Sequence, residues 1–154
     1  MLKFKDVKVV FREIPDEITL AIGISGCPVR CPDCHSKYLW EDIGSELTIT
    51  KLDHLITENT GVTCILFSGG DADVNYLNNL AKYIKTKYNI NVAWYSGKDY
   101  LPPEIELEYW DYIKLGPFIK ERGGLGNPNT NQKLFKIHKL NNKWEIVNIT
   151  SKLW

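Results

Sequence analysis

Residues 26 to 37 read Gly-Cys-Pro-Val-Arg-Cys-Pro-Asp-Cys-His-Ser-Lys, and the rest of the chain is organised around this stretch. It contains three of the four cysteines, Cys27, Cys31 and Cys34, in a C-x3-C-x2-C spacing. A helix would bring these positions to one face. However, a proline follows each of the first two cysteines, and each proline removes a backbone donor and clashes with the preceding turn. The sequence therefore predicts a loop that can wrap three thiolates around one ligand.

Three thiolates in one loop favour a metal centre. They are soft ligands that suit zinc, copper or an iron-sulfur cluster, and a cubane cluster normally takes four of them. Three cysteines leave one iron open, as catalytic zinc keeps one position free for a substrate. Three other interpretations stay open: a zinc site in which His35 joins the cysteines, a redox pair of Cys31 and Cys34, and structural disulfides. Cluster ligation is favoured because no second ligand pair follows at zinc-finger spacing and the thioredoxin context is missing.

Length and charge narrow the class of protein. A chain of 154 residues suits a single domain, 1–154, that buries ~70% of its extended-chain surface. Lys plus Arg and Asp plus Glu both number 19, so no overall field favours a polyanionic partner. No apolar run approaches the ~20 residues that span a bilayer. We therefore expect a cytoplasmic protein that binds neither nucleic acid nor membrane.

Beyond the loop, the chain alternates apolar strands with amphipathic helices. The strand signals are rich in apolar and β-branched residues and lie at 18–25, 62–68, 91–96 and 112–115. The helix signals lie between them, at 49–56, 74–84 and 102–108. Cys64 falls inside the second strand, where we expect it to pack in the core.

This order of elements predicts the fold class. Strands that alternate with helices imply a parallel sheet with helical crossovers. Because a full eight-stranded barrel takes ~250 residues, the chain is long enough for only part of one. Residues 134–140 and 144–149 flank Asn141 and Asn142 as a hairpin. The prediction is an α/β fold, a small partial (β/α) barrel with a C-terminal β-hairpin.

A second motif, Phe-Ser-Gly-Gly-Asp at 67–71, follows the second strand. Two glycines let the backbone approach a ligand closely, and ligands bind at the C-terminal ends of parallel strands. The glycine carbonyls and the Asp71 carboxylate can accept hydrogen bonds from an ammonium group. By itself, Gly-Gly-Asp is more often a turn ahead of a helix. Its position one strand after the cysteine loop favours a binding site.

The two motifs together resemble those of the radical S-adenosylmethionine (SAM) enzymes. In that family three cysteines hold a 4Fe-4S cluster, and the fourth iron binds the amino and carboxylate groups of SAM. The resemblance implies that Cys27, Cys31 and Cys34 are the metal ligands and that the partial barrel is of the radical SAM type. A Gly-Gly-Glu motif in the family, with Asp as a common variant, contacts the methionine end of SAM. The resemblance carries that role to Gly69, Gly70 and Asp71. Ser96, at the end of the third strand, would line the nucleoside half of SAM, although a buried strand terminus explains it equally well. With Ser68, these are the expected cofactor-binding residues.

Further segments resemble one subfamily, the anaerobic ribonucleoside-triphosphate reductase activating proteins. They are Ser-Lys-Tyr-Leu-Trp at 36–40, Trp-Tyr-Ser-Gly at 94–97 and Thr-Asn-Gln at 130–132. Two positions depart from the pattern. Leu115 stands where the subfamily has Asp, and Asp33 stands where many radical SAM proteins have an aromatic residue.

The resemblance implies a redox reaction and two protein partners. An electron from a flavodoxin-type donor would cleave SAM to methionine and a 5′-deoxyadenosyl radical. The radical would then take a hydrogen atom from a glycine of the large anaerobic ribonucleotide reductase subunit and leave a stored glycyl radical. Two alternatives stay open: another small radical SAM enzyme, similar to a 7-carboxy-7-deazaguanine synthase or a formate-lyase activase, and a structural zinc-binding module.

Overall fold

The structure, a computed structural model, describes residues 1–32, 34 and 36–154. Its strands are β1 (Lys3–Val10), β2 (Thr19–Ile24), β3 (Ser45–Glu46), β4 (Cys64–Ser68), β5 (Asn91–Tyr95), β6 (Tyr112–Leu115), β7 (Lys133–Leu140) and β8 (Lys143–Asn148). Its α-helices are α1 (Ile49–Glu58) and α2 (Val74–Lys87). Short 3-10 helices lie at Lys37–Trp40, Leu107–Tyr109 and Thr150–Leu153.

The strands form one mixed sheet in the order β3-β1-β2-β4-β5-β6-β7-β8. The four central strands, β2, β4, β5 and β6, are parallel. Antiparallel strands extend the sheet on both sides, β1 and β3 at one edge and β7 and β8 at the other. The strand positions and the parallel order that the sequence predicted are therefore confirmed for the centre of the sheet.

The predicted partial (β/α) barrel of the radical SAM type is wrong. The described residues form an eight-stranded mixed sheet with two α-helices, not a continued alternation of strand and helix. The segment 102–108, which was expected to be helical, contributes only to the 3-10 turn at Leu107–Tyr109. β1 pairs antiparallel with β2, and β7 pairs antiparallel with β6. Both sides of the sheet are therefore extended without a helical crossover.

The predicted C-terminal hairpin is confirmed as β7 and β8. Asn141 and Asn142 form its two-residue turn, with φ of 51° and 62°. Both values are positive, as the primed turns of tight hairpins require, and Asn is one of the residues that adopt them readily.

Hydrophobic side chains cover both faces of the sheet. On one face, α1 and α2 pack over the central strands, and Trp94 and Trp110 are fully buried with ring centroids 6.0 Å apart. The other face is covered by irregular segments that carry Ile14, Leu125 and Ile149. Cys64 packs in this second layer and is fully buried, which confirms its predicted place in the core.

The parallel register fixes where a site can form. One row across the four central strands contains, in order, Gly23 of β2, Ser68 of β4, Tyr95 of β5 and Lys114 of β6. This row marks the C-terminal edge of the central strands, and the cysteine loop and the Gly-Gly-Asp turn both begin there. No helix in the described part of the chain has the length and apolar character needed to cross a bilayer.

Candidate functional site

The cysteine loop is anchored to the segment that follows it. The Gly26 N–H donates to the Glu41 carbonyl at 3.0 Å, and the Cys27 N–H donates to the Leu39 carbonyl at 2.9 Å. Farther along, the Cys34 N–H donates to the Cys31 carbonyl at 3.1 Å. These backbone hydrogen bonds hold the start of the loop, while the prolines prevent a regular helix.

All three loop cysteines are free thiols and line the same cavity, of about 140 Å³. Cys31 is buried, whereas Cys27 and Cys34 are partly exposed. The Cys34 Sγ accepts a hydrogen bond from the Ser36 N–H at 3.4 Å. Hydrogen bonds of this kind to sulfur are among the factors that set the potential of an iron-sulfur cluster.

The thiols share a cavity but do not converge on one point. Across residues 1–32, 34 and 36–154, no three His, Cys, Asp or Glu side chains are grouped closely enough to hold a metal ion. The zinc interpretation with His35 and the departure at Asp33 both concern positions outside the described residues. In a cubane cluster each thiolate binds a different iron, so the three cysteines need not meet at a single metal ion.

The walls of this cavity nevertheless fit an iron-sulfur cluster. Three free thiols supply the soft donors that such a cluster needs. Trp40 also lines the cavity, and its indole N–H is a buried donor with no hydrogen-bond partner among the described residues. A buried unpaired donor costs ~1–3 kcal/mol, and a cluster sulfur is one acceptor that would satisfy it.

The Gly-Gly-Asp turn forms another wall, and its backbone geometry requires glycine. Gly69 and Gly70 have φ of +103° and +93°. A Cβ on Gly69 would lie 3.0 Å from the Ile24 carbonyl oxygen, and one on Gly70 would lie 2.8 Å from the Leu77 Cδ1. The Gly69 carbonyl already accepts a hydrogen bond from the Trp94 indole at 2.7 Å, so part of the acceptor capacity predicted there is used within the protein.

The structure brings together two residues that the sequence indicated separately, Asp71 and Ser96. Both are buried, and the Ser96 hydroxyl donates a hydrogen bond to the Asp71 carboxylate. The Gly97 N–H donates to the same carboxylate at 3.3 Å. Asp71 therefore faces the cavity with its orientation fixed from the end of β5, and Ser96 positions it.

Sequence reasoning missed Lys114, which is buried at the end of β6 and lines the cavity. Its Nζ donates to the Gly116 carbonyl at 3.1 Å and lies 5.4 Å from the Tyr95 ring centroid. Burial lowers the pKa of Lys114 to about 8, while the Asp71 carboxylate and the cysteine thiols act in the opposite direction. The sequence feature that could have indicated this role is the position of Lys114 inside a strand, β6, whose other residues are largely apolar.

A second cavity, of about 580 Å³, adjoins the first. Both are lined by Cys34, Ser36, Tyr95, Lys114, Phe118 and Gln132. The larger one extends to Arg12 and to residues 124–126 of a glycine-rich loop. The combined space thus runs from the cysteines to the surface of the second face of the sheet.

Three cysteine thiols that line one cavity indicate a protein that binds a metal centre through thiolates. Comparison with known families identifies which kind of metal centre it is. The family model described as "4Fe-4S single cluster domain" matches residues 18–115, more than half of the chain. The chain belongs to this family and contains a 4Fe-4S cluster-binding domain. No curated protein and no solved structure matches the chain.

Proposed function

We propose that this protein is a radical SAM activase, which uses its 4Fe-4S cluster to cleave SAM reductively and generate a glycyl radical on anaerobic ribonucleotide reductase. One observation carries the proposal: the three cysteines and the buried Asp71 line one cavity, which opens into a larger one. A purely structural metal site has no need of this neighbouring space.

In this proposal, Cys27, Cys31 and Cys34 hold the cluster and leave one iron for SAM. A bound cluster supplies the single electron that the cleavage requires, and the protein binds, orients and shields the reactants. Trp40 and Val29 line the same cavity as the cysteines and would shield a bound cluster from water.

The protein's charges suit the α-amino and α-carboxylate groups of the methionine part of SAM. The Asp71 carboxylate can accept from an N–H of the SAM amino group, because Ser96 and Gly97 occupy only part of its acceptor capacity. The Lys114 ammonium has three donors, one of which is used by Gly116, so it can donate to the SAM carboxylate. Both side chains are buried, which strengthens these interactions relative to those in water.

The larger cavity suits a segment of the reductase that carries the glycine. The overall reaction consumes one electron, taken from a flavodoxin-type donor, for each SAM cleaved. It transfers one hydrogen atom from the glycine to the adenosyl carbon, which gives methionine, 5′-deoxyadenosine and the glycyl radical. The open side at residues 124–126 leaves room for a peptide rather than a small molecule alone.

The test combines reconstituted protein, SAM, a one-electron reductant and the large reductase subunit under anaerobic conditions. We expect 5′-deoxyadenosine together with the doublet of a glycyl radical in the electron paramagnetic resonance spectrum. Cys27→Ala should abolish both, whereas Cys64→Ala should retain both, because Cys64 lies in the core away from the cavity.

Two results would overturn the proposal in different ways. Cleavage of SAM without any radical on the reductase would remove the reductase as the hydrogen donor and leave a radical SAM enzyme with a small-molecule substrate. Tightly held zinc with no cluster and no SAM cleavage would reduce the site to a structural module.

A further inference from the structure

Two cationic side chains lie over the ring of Trp40 at the surface of the cysteine loop. The guanidinium carbon of Arg30, between the first two cysteines, is 5.9 Å from the centroid of the Trp40 ring, and the Nζ of Lys37, after the third cysteine, is 5.8 Å from it. Both residues are exposed, and among the residues that the structure describes neither forms an ion pair. Since a cation over an indole ring gains ~0.5–1 kcal/mol at an exposed site, both charges are held close to Trp40.

The same indole ring also borders the cysteine cavity. Trp40 is partly exposed, yet its N–H is buried, and it lines the cavity together with the three cysteines. The hydrogen bonds from Gly26 and Cys27 to the carbonyls of Glu41 and Leu39 hold the residues on either side of Trp40 against the start of the loop. One side chain therefore borders both the proposed cluster site and the two surface cations.

The charge of this surface is positive. Among the described residues from 26 to 42, the cations are Arg30 and Lys37, and the carboxylates are Glu41 and Asp42. Asp42 is paired with Lys3, whose Nζ lies 3.2 Å from its carboxylate. Within this described segment, two unpaired cations thus stand against one unpaired carboxylate, on a chain whose formal net charge is zero. A positive patch attracts an acidic surface and speeds its association.

We propose that Arg30, Lys37 and Trp40 form the docking site for the protein that gives the cluster its electron, and that this donor presents an acidic face. The inference rests on the proposed function, which requires one electron for each SAM cleaved. In the transfer the donor is oxidised by one electron and the cluster is reduced by one, and no bond is made or broken. Because electrons pass between proteins only over short distances, the donor must dock close to the cluster. Trp40 is where the cations meet the wall of the cysteine cavity.

This docking site leaves the substrate side of the protein free. The described lining of the larger cavity, which the proposed function assigns to the glycine-bearing segment of the reductase, includes none of Arg30, Lys37 and Trp40. The electron donor and the reductase therefore do not need the same entrance.

The test measures the rate of cluster reduction by stopped flow, without SAM and without the reductase. The probe is a fully reduced flavodoxin of negative net charge, at low ionic strength. The double variant Arg30→Glu with Lys37→Glu should lower the second-order rate constant roughly tenfold or more, because steering by opposite charge is replaced by repulsion. The difference should shrink as salt is added. Reduction by a photoreduced 5-deazaflavin, a small molecule that needs no docking site, should be unchanged.

Lys82→Glu with Lys136→Glu is the matched control. Each of these exposed lysines also lies over an aromatic ring, at 5.9 Å and 6.0 Å, and the change in net charge is the same. Iron content per chain checks that each variant holds its cluster. Lys37→Glu alone lies outside the three cysteines and should slow reduction in the same direction, which keeps the test valid if Arg30→Glu disturbs the loop.

Two results would overturn the proposal. Equal rates of reduction in the patch variant and the control variant would show that this surface does not bind the donor. Normal reduction by flavodoxin together with a loss of radical on the reductase would assign the surface to the reductase instead. Because the rate is measured without SAM and reductase, a failure of the proposed reaction on the reductase leaves this test unaffected.

Discussion

Replacing Gly97 with alanine should weaken cluster binding by displacing the cysteine loop. Gly97 lies just after β5, where its N–H donates to Asp71. A Cβ at this position would lie 3.0 Å from each of three atoms of Val29, namely Cβ, Cγ1 and Cγ2. Val29 lies between the first two cysteines of the loop, so movement that relieves the contact is passed to Cys27 and Cys31.

The magnitude follows from the contact distance. Carbon atoms pack best at ~3.5–4.0 Å, so the alanine methyl is too close to all three atoms at once. Overpacking of this kind costs ~1–3 kcal/mol. Gly97 is held by Asp71, whereas the described residues of the cysteine loop on the other side form no regular secondary structure. If the strain falls on the cluster-bound loop, the affinity for the cluster drops roughly 5- to 150-fold.

The assay is iron and sulfide content per chain after anaerobic reconstitution, followed by the rate of iron loss to a chelator. Gly124→Ala is the matched control, because its new Cβ would find its nearest neighbour, the Gln132 Oε1, at 3.8 Å. Combining Gly97→Ala with Val29→Ala should restore cluster retention by removing two of the three contacted atoms. A Gly97→Ala protein that holds its cluster as well as the Gly124→Ala protein would refute this reasoning.

Three further predictions concern the polar side chains of the cavity. Asp71→Asn should raise the dissociation constant for SAM about tenfold, because a charge-assisted hydrogen bond is lost, and should leave the iron content unchanged. Calorimetric titration of SAM measures this, and an unchanged affinity would contradict the role assigned to Asp71. Ser96→Ala removes the hydroxyl that donates to the buried Asp71 carboxylate and should lower the free energy of unfolding, measured by urea titration, by ~1–3 kcal/mol. An unchanged free energy of unfolding would mean that another donor satisfies the carboxylate. The pKa of Lys114 falls from 10.5 to about 8 on folding, so the unfolded chain binds more protons between these values. The stability of the cluster-free protein relative to Lys114→Met should therefore rise by about 3 kcal/mol from pH 8 to 10.5, and a constant difference would show that Lys114 keeps its ordinary pKa.

Local patterns were sufficient for the centre of the sheet. Within the apolar run at 62–68, residues 64 to 67 are buried in β4, and Asp71 follows at the C-terminal edge, as the motif indicated. Both features depend on neighbours in sequence and on the general rule that parallel strands carry ligands at their C-terminal ends. The grouping of Asp71 with Ser96 follows from the same rule.

The two sides of the sheet could not be predicted in the same way. Whether β1 and β7 continue a barrel or close off an open sheet depends on contacts between distant strands. Phe4 of β1 pairs with Ile24, and Leu134 of β7 pairs with Lys114. Nothing in the local composition of either strand specifies those partners, and the alternation of strands and helices between them favoured a barrel.

Lys114 shows the same limit for the site. A period-two pattern places residues on one face or the other of a sheet, but it cannot distinguish a buried face from a cavity wall. Lys114 shares a face with Tyr112, which packs in the core, yet its ammonium reaches the space beside the cysteines. The depth of that space depends on residues 124–126 and Gln132, which come from other parts of the chain.

The central claim is that Cys27, Cys31 and Cys34 hold a 4Fe-4S cluster with one iron open to SAM. The measurement that tests it most directly is the electron paramagnetic resonance spectrum of the reduced, reconstituted protein, recorded with and without SAM. The account predicts a cluster signal that changes when SAM is added, is lost in each single Cys→Ala variant of the loop and persists in Cys64→Ala. A cluster signal that survives the loss of any loop cysteine, or one that SAM leaves unchanged, would contradict it.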